Sequence, residues 1–113
     1  MLTMEALRAY GADADSGLDR CMNNESFYFR MIRLAAADTK FESLADALAR
    51  RDLDGAFELA HALKGVTANL ALTPILTPLN QITELLRSRT DTDYSDLYRQ
   101  TMEARNQLLA LCE

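Results

Sequence analysis

An all-α fold is what this sequence predicts, on three observations. Side chains that suit helices dominate, apolar residues recur at helical spacing in successive stretches, and nothing alternates as a strand would. Ala, Leu, Arg, Asp and Glu are abundant, against four glycines and two prolines. Asp apart, these side chains lose little freedom in a helix. Apolar residues make up 49% of the 113, enough for one core, and the length suits one domain over residues 1–113. The expected arrangement is an antiparallel four-helix bundle with a short N-terminal helix packed across it.

The elements follow in order. "TMEALRAY", residues 3 to 10, reads as a short helix stopped by Gly11. "GADADSG" is a turn-rich connection and "LDRCM" a further turn. From about Glu25, "ESFYFRMIRLAAA" places Tyr28, Met31, Ile32 and Ala35 at helical spacing. "TKFE" at 39–42 reads as a capping box that starts a helix with Phe41, Leu44, Ala45 and Leu48 on one face. Asp38 and Thr39 either divide the preceding stretch from this helix or bend one continuous helix. Asp52 or Asp54 caps the next helix, which runs to about Leu72. In "TPILTP" the following helix starts at Pro74 and kinks, or starts at Pro78, and reaches about Arg89. "TDTD" supplies capping aspartates, and a last helix, about 94–112, carries Leu97, Thr101, Ala104, Leu108 and Leu111 on one stripe.

Charge and composition remove several functions. The net charge of −5 and the lack of a basic cluster disfavour nucleic acid, whose phosphates are held by Lys and Arg. No apolar run approaches the roughly 20 residues of a membrane span, and the N-terminus lacks a leader's apolar centre. Cys21 and Cys112 show no CxxC spacing, so reduced thiols in a cytoplasmic protein are expected.

The only histidine, His61, lies in "AHALKGVTANL" with Lys64 and Gly65 just after it. At about 100° per residue, Leu70 points directly away from His61, with Leu59, Leu63, Val66 and Ala56 within about 40° of that direction. That group is the expected core face. The face of His61 holds Asp54, Phe57, Glu58, Lys64, Gly65, Ala68 and Leu72. Gly65 costs about 1 kcal/mol relative to alanine inside a helix, so an outward glycine one turn from the ring points to room for a visiting group. Lys64 offers a mobile cation for an anion on the ring, and Phe57, with Ala68, begins a docking patch. Glu58 either hydrogen-bonds the ring or is simply solvated.

A nucleophilic imidazole that takes an anionic adduct fits this pattern: attack on phosphorus gives a phosphohistidine whose charge Lys64 partly balances. One histidine cannot make a multi-histidine metal site. HExxH, P-loop and GxSxG patterns are absent as well.

"AHALKGVTANLAL" resembles the signature of histidine-containing phosphotransfer (HPt) domains, approximately A-H-x-L-K-G-x-x-x-N-L-G, and "RRDLDGAFELA" is similar to its acidic lead-in. Helix order and length agree along the chain. The resemblance implies a carrier in a phosphorelay, with His61 as phosphoacceptor, Lys64 supporting the phosphoryl oxygens and Gly65 admitting the partner's loops. Partner binding would use Phe57, Glu58, Ala68 and Leu72. The implied partners are a response-regulator receiver domain and a hybrid sensor histidine kinase. No cofactor is expected on the chain, Mg²⁺ belonging to the receiver, which supplies most catalytic groups. A monomer is the family expectation, and the initial Met favours a free-standing carrier.

Two departures stand out. The glycine after Asn-Leu is Ala71, which removes the usual helix stop, and Pro74 and Pro78 interrupt the following helix. Two other functions compete with the carrier. A bundle that binds a receiver or kinase without carrying phosphate would not need the His61 and Gly65 pair. A hydrolase using His61 as general base would need a concave pocket.

Overall fold

Most of the helices begin where a side chain offers their unpaired N–H groups a partner. In the computed structural model, which describes residues 1–113, α1 (Met4–Tyr10) starts from Thr3, whose hydroxyl accepts the Ala6 N–H, and stops at Gly11 with φ 109°. The expected turn after it is instead a second helix, α2 (Ala14–Arg20), because Asp13 accepts the Ser16 N–H and caps it. Asp, Ser and Gly favour turns, but an aspartate in this position serves a helix start equally well. Helix α3 (Glu25–Ala36) starts from Asn24, whose side chain accepts the Phe27 N–H.

The chain then breaks, so α3 and α4 (Lys40–Ala49) are separate helices. The capping box at Thr39 and Glu42 does not form. Asp38 takes the Lys40 N–H at 2.8 Å, and Glu42 turns to Arg105 at 2.9 Å. A carboxylate beside the helix start competes well with a hydroxyl, and a guanidinium is a stronger partner for Glu42 than a backbone amide.

Asp52, rather than Asp54, caps α5 (Leu53–Asn69) by accepting the Gly55 N–H at 3.0 Å. This helix ends three residues before Leu72. Ala71 adopts φ 58°, so the left-handed stop forms without the glycine that would adopt it freely. Helix α6 (Thr73–Arg87) starts one residue before Pro74, where a missing N–H is harmless, and holds Pro78 buried within its second turn. It stops at Arg87, short of the expected Arg89, which has φ 53°. Asp93 accepts the Ser95 N–H at 2.9 Å ahead of α7 (Ser95–Leu111).

The result is a helical bundle without strands. Helix α4 packs on α5, α5 on α6, α6 on α7, and α7 on α3, while α1 and α2 pack on α7 and α3. Tyr28, Phe41, Leu63, Leu79, Ile82 and Leu108 are among its fully enclosed side chains. Of the residues expected on the face of α4, Phe41 and Leu44 are buried and Ala45 and Leu48 are half-buried. On α7, Arg105 is nearly enclosed, with its guanidinium 5.4 Å from the Phe41 ring centre and donating to the Ala36 carbonyl and to Glu42. Those partners offset the cost of taking the charge out of water. Both cysteines are free thiols, Cys21 buried and Cys112 half-buried. No helix is long and apolar enough to cross a membrane.

The C-terminal end of α5 is held from the N-terminal segment. Arg20 donates to the Ala68 carbonyl, the Tyr28 hydroxyl to the Leu70 carbonyl at 2.8 Å, and the Asp13 N–H to the Ala71 carbonyl at 3.0 Å. Gly17 sits against this joint: a Cβ there would fall on the Tyr28 hydroxyl and 2.6 Å from the Leu70 carbonyl oxygen.

Gly17→Ala should therefore destabilise the fold by about 1–3 kcal/mol. Ala71→Gly should stabilise it by about 0.5–1 kcal/mol by relieving the left-handed backbone. Urea unfolding followed by far-UV circular dichroism measures both, and a neutral Gly17→Ala would show that the joint is looser than its geometry. The Arg105 hydrogen bond holds the Glu42 carboxyl below its usual range. A carboxyl depressed in the folded state contributes stability above its unfolded pKa and loses it as pH falls through the folded value. The melting temperature should accordingly drop as pH falls below about 4.5, and Glu42→Gln should flatten part of that slope.

Candidate functional site

The rotation of α5 in the bundle decides what its side chains can do. Ala56, Ala60, Leu63, Thr67 and Leu70 are buried. The centre of that arc lies about 140° from His61, turned about 40° from the predicted core direction. Small residues cause the offset. Ala60 and Thr67 are completely or almost completely enclosed, the Thr67 hydroxyl donating back to the Leu63 carbonyl at 2.9 Å. Val66, expected in the core, is exposed, and Leu59 is only half-buried. His61 itself is exposed at the middle of the helix.

Six of the predicted site residues share this face. Gly65 is exposed one turn after the ring, and a Cβ there would meet no atom within 4 Å. No packing contact inside the chain accounts for a glycine at this position. Lys64 has a half-buried stem and, unlike Lys40, which pairs with Asp38, no ion-pair partner. Phe57 is half-buried and stacks on the His61 ring, with centroids 5.5 Å apart and planes 21° from parallel. Glu58 is exposed and makes no hydrogen bond to the ring; Ala68 is half-buried.

Leu72 does not belong to the face. It is fully buried and forms the N-cap position of α6, because the reversal at Ala71 takes it off the helix before the periodicity could bring it round beside His61.

Packing of α5 on α6 adds residues that the sequence did not point to. The Arg87 guanidinium lies 5.2 Å from the centre of the Phe57 ring, and its Nε donates to Glu84 at 2.8 Å. That bond holds the Glu84 carboxyl below its usual range, with a further contribution from the charge of Lys64. Beyond them Arg89 pairs with Asp54 at 3.0 Å. Arg87 is 26 positions from His61, and no spacing rule connects residues on two different helices. Ala62 and Val66 are exposed apolar residues on the flank of α5, about 100° and 140° round from His61, and Val66 was missed because the predicted rotation of α5 was off.

The imidazole stands on an open face. A depression between α5 and α6 is lined by Asp54, Phe57, Glu58, Leu86, Arg87 and Arg89, and a second lies between the α4–α5 and α6–α7 turns; His61 lines neither. No three His, Cys, Asp or Glu side chains gather as metal ligands. An exposed ring without a fixed base, an unpaired ammonium nearby and a gap in the helix surface suit reaction with a group carried by a second macromolecule.

The sequence profile of the Hpt domain family matches residues 31–113, from the middle of α3 to the end of the chain. No curated protein and no solved structure matches the chain. The match covers most of the residues and all of α4 to α7, His61 and its neighbours included, and on that ground the chain belongs to the Hpt domain family.

Proposed function

We propose that this chain is a histidine phosphocarrier of a two-component phosphorelay, taking and giving a phosphoryl group between His61 and the aspartate of a receiver domain. In the forward step a neutral imidazole nitrogen attacks phosphorus in line. The N–P bond forms as the P–O bond to the aspartate breaks, and the carboxylate leaves; return to a receiver is the reverse. Mg²⁺ held by the receiver would supply charge neutralisation at the phosphoryl oxygens.

The observation that carries this reading is the open approach to His61. The ring is exposed, and Gly65 leaves a gap in the helix that nothing in the chain fills. Lys64, with no carboxylate of its own, is the group that pairs with the phosphoryl oxygens. Phe57, Glu58 and Ala68, together with Ala62 and Val66, form the surface on which the receiver docks. Catalytic groups then come chiefly from the partner, and His61 lines neither of the two depressions, whereas a hydrolase using it as general base would require it to line one. The same reading makes residues 1–113 one carrier domain built on an antiparallel four-helix core, α4 to α7. It places the protein in the cytoplasm as a monomer, with a receiver and a sensor kinase as partners.

Incubation with a phosphorylated receiver and Mg²⁺ should add one acid-labile phosphoryl group by intact mass, and His61→Gln should abolish the gain while leaving the fold intact. Lys64→Ala should slow transfer by less. Gly65→Ala should stabilise the helix by about 1 kcal/mol, whereas Gly65→Phe should block transfer by filling the approach. Normal transfer by Gly65→Phe would remove the access role from the glycine. A receiver that binds without any gain of mass would favour a non-phosphorylated adaptor.

A further inference from the structure

The His61 ring carries a constraint that the carrier reading leaves unassigned. No intrachain hydrogen bond engages either ring nitrogen, and the ring is exposed, so torsional freedom would ordinarily scatter it among rotamers. Its defined contact is the near-parallel stack on Phe57, one turn earlier on the same helix. Phe57 in turn lies beneath the Arg87 guanidinium from α6, and Arg87 is tied to Glu84. A line of contact therefore runs Glu84–Arg87–Phe57–His61, from one helix to its neighbour.

We propose that Phe57 is a positioning residue for phosphoryl transfer, with Arg87 as its anchor: the aromatic ring fixes the rotamer in which His61 meets the phosphorus in line. The inference rests on the carrier reading for its consequence, since only transfer needs the alignment. Stacking restricts both side-chain torsions of the histidine while leaving both nitrogens free, which a hydrogen bond from Glu58 would not do. A misplacement of the attacking atom by about 1 Å can cost on the order of 100-fold in rate, so a contact that narrows the rotamer population acts on the chemical step. A residue used only for docking would act on affinity instead.

Two measurements test this. In the proton NMR spectrum of the free protein, stacking on Phe57 should shift the two carbon-bound imidazole protons of His61 upfield. Phe57→Leu should release the shift and Phe57→Tyr should keep it; an unchanged spectrum in Phe57→Leu would overturn the stack whether or not the chain carries phosphate. In transfer from a phosphorylated receiver with Mg²⁺, Phe57→Leu should lower the maximal rate about tenfold, with any rise in the half-saturating receiver concentration smaller than that fall. Phe57→Tyr should restore the rate, and Arg87→Gln should lower it by less than Phe57→Leu. A raised half-saturating concentration at an unchanged maximal rate would make Phe57 a docking residue only and end the positioning role. Absence of transfer in the wild-type chain would count against the carrier reading, with the NMR result still deciding the stack.

Discussion

The orientation of α5 is the constraint on which the rest of the site depends, and the small side chains of its buried arc, Ala56, Ala60 and Thr67, go with it. Ala56 and Ala60 are fully buried on one arc of the helix. Side chains this short let neighbouring helices approach closely, so α5 is clasped between α4 and α6 with that arc inward. Once the arc is placed, His61 must face solvent, Val66 must follow it outward, and Phe57 must lie at the seam with α6. The same close approach carries Arg87 over Phe57. Neither contact has a local cause within the chain segment that carries it.

The far end of α5 poses a different problem. A helix ending in a left-handed alanine has carbonyls to satisfy and backbone strain to hold. Both needs are met from residues 13–28: Arg20, Tyr28 and the Asp13 amide take the carbonyls of Ala68, Leu70 and Ala71. Gly17 is present because α2 must come within reach of that joint. All three donors lie in the part of the chain before residue 31, outside the range matched by the family. The N-terminal helices therefore complete the site helix as well as covering the end of the bundle.

What could be read from the sequence follows from the range of each interaction. The helical class, the exposed His61 and the roles open to Lys64 and Gly65 depend on periodicity along one helix, which a linear pattern carries faithfully. Helix ends were less legible. Asp13 caps a helix in a stretch that reads as turn, and Asp38 displaces Thr39 as the source of the first hydrogen bond of α4. In each case two chemically suitable side chains compete, and the packing beyond them chooses. Leu72 failed for a sharper reason: a single left-handed residue ends the periodicity on which its placement rested. The stack beneath His61 was half legible, since Phe57 lies one turn away, but Arg87 belongs to another helix and could enter only through tertiary packing.

The electrostatics of this face bear on how a partner is met. The chain is acidic as a whole, with a net charge of −5, yet the side of His61 that borders α6 carries Lys64 and Arg87. An acidic protein would repel an acidic partner at long range, and screening limits that repulsion to about 10 Å at ordinary salt. Inside that distance Lys64, one turn from the ring, is a cation with no carboxylate paired to it, so local attraction favours approaches that bring an anion to its side of the imidazole. Arg87 is engaged by Glu84, while Lys64 has no such partner. The two cations are thereby divided in duty: one is held in place and can support an aromatic ring, and the other is free to follow a charge that arrives and leaves.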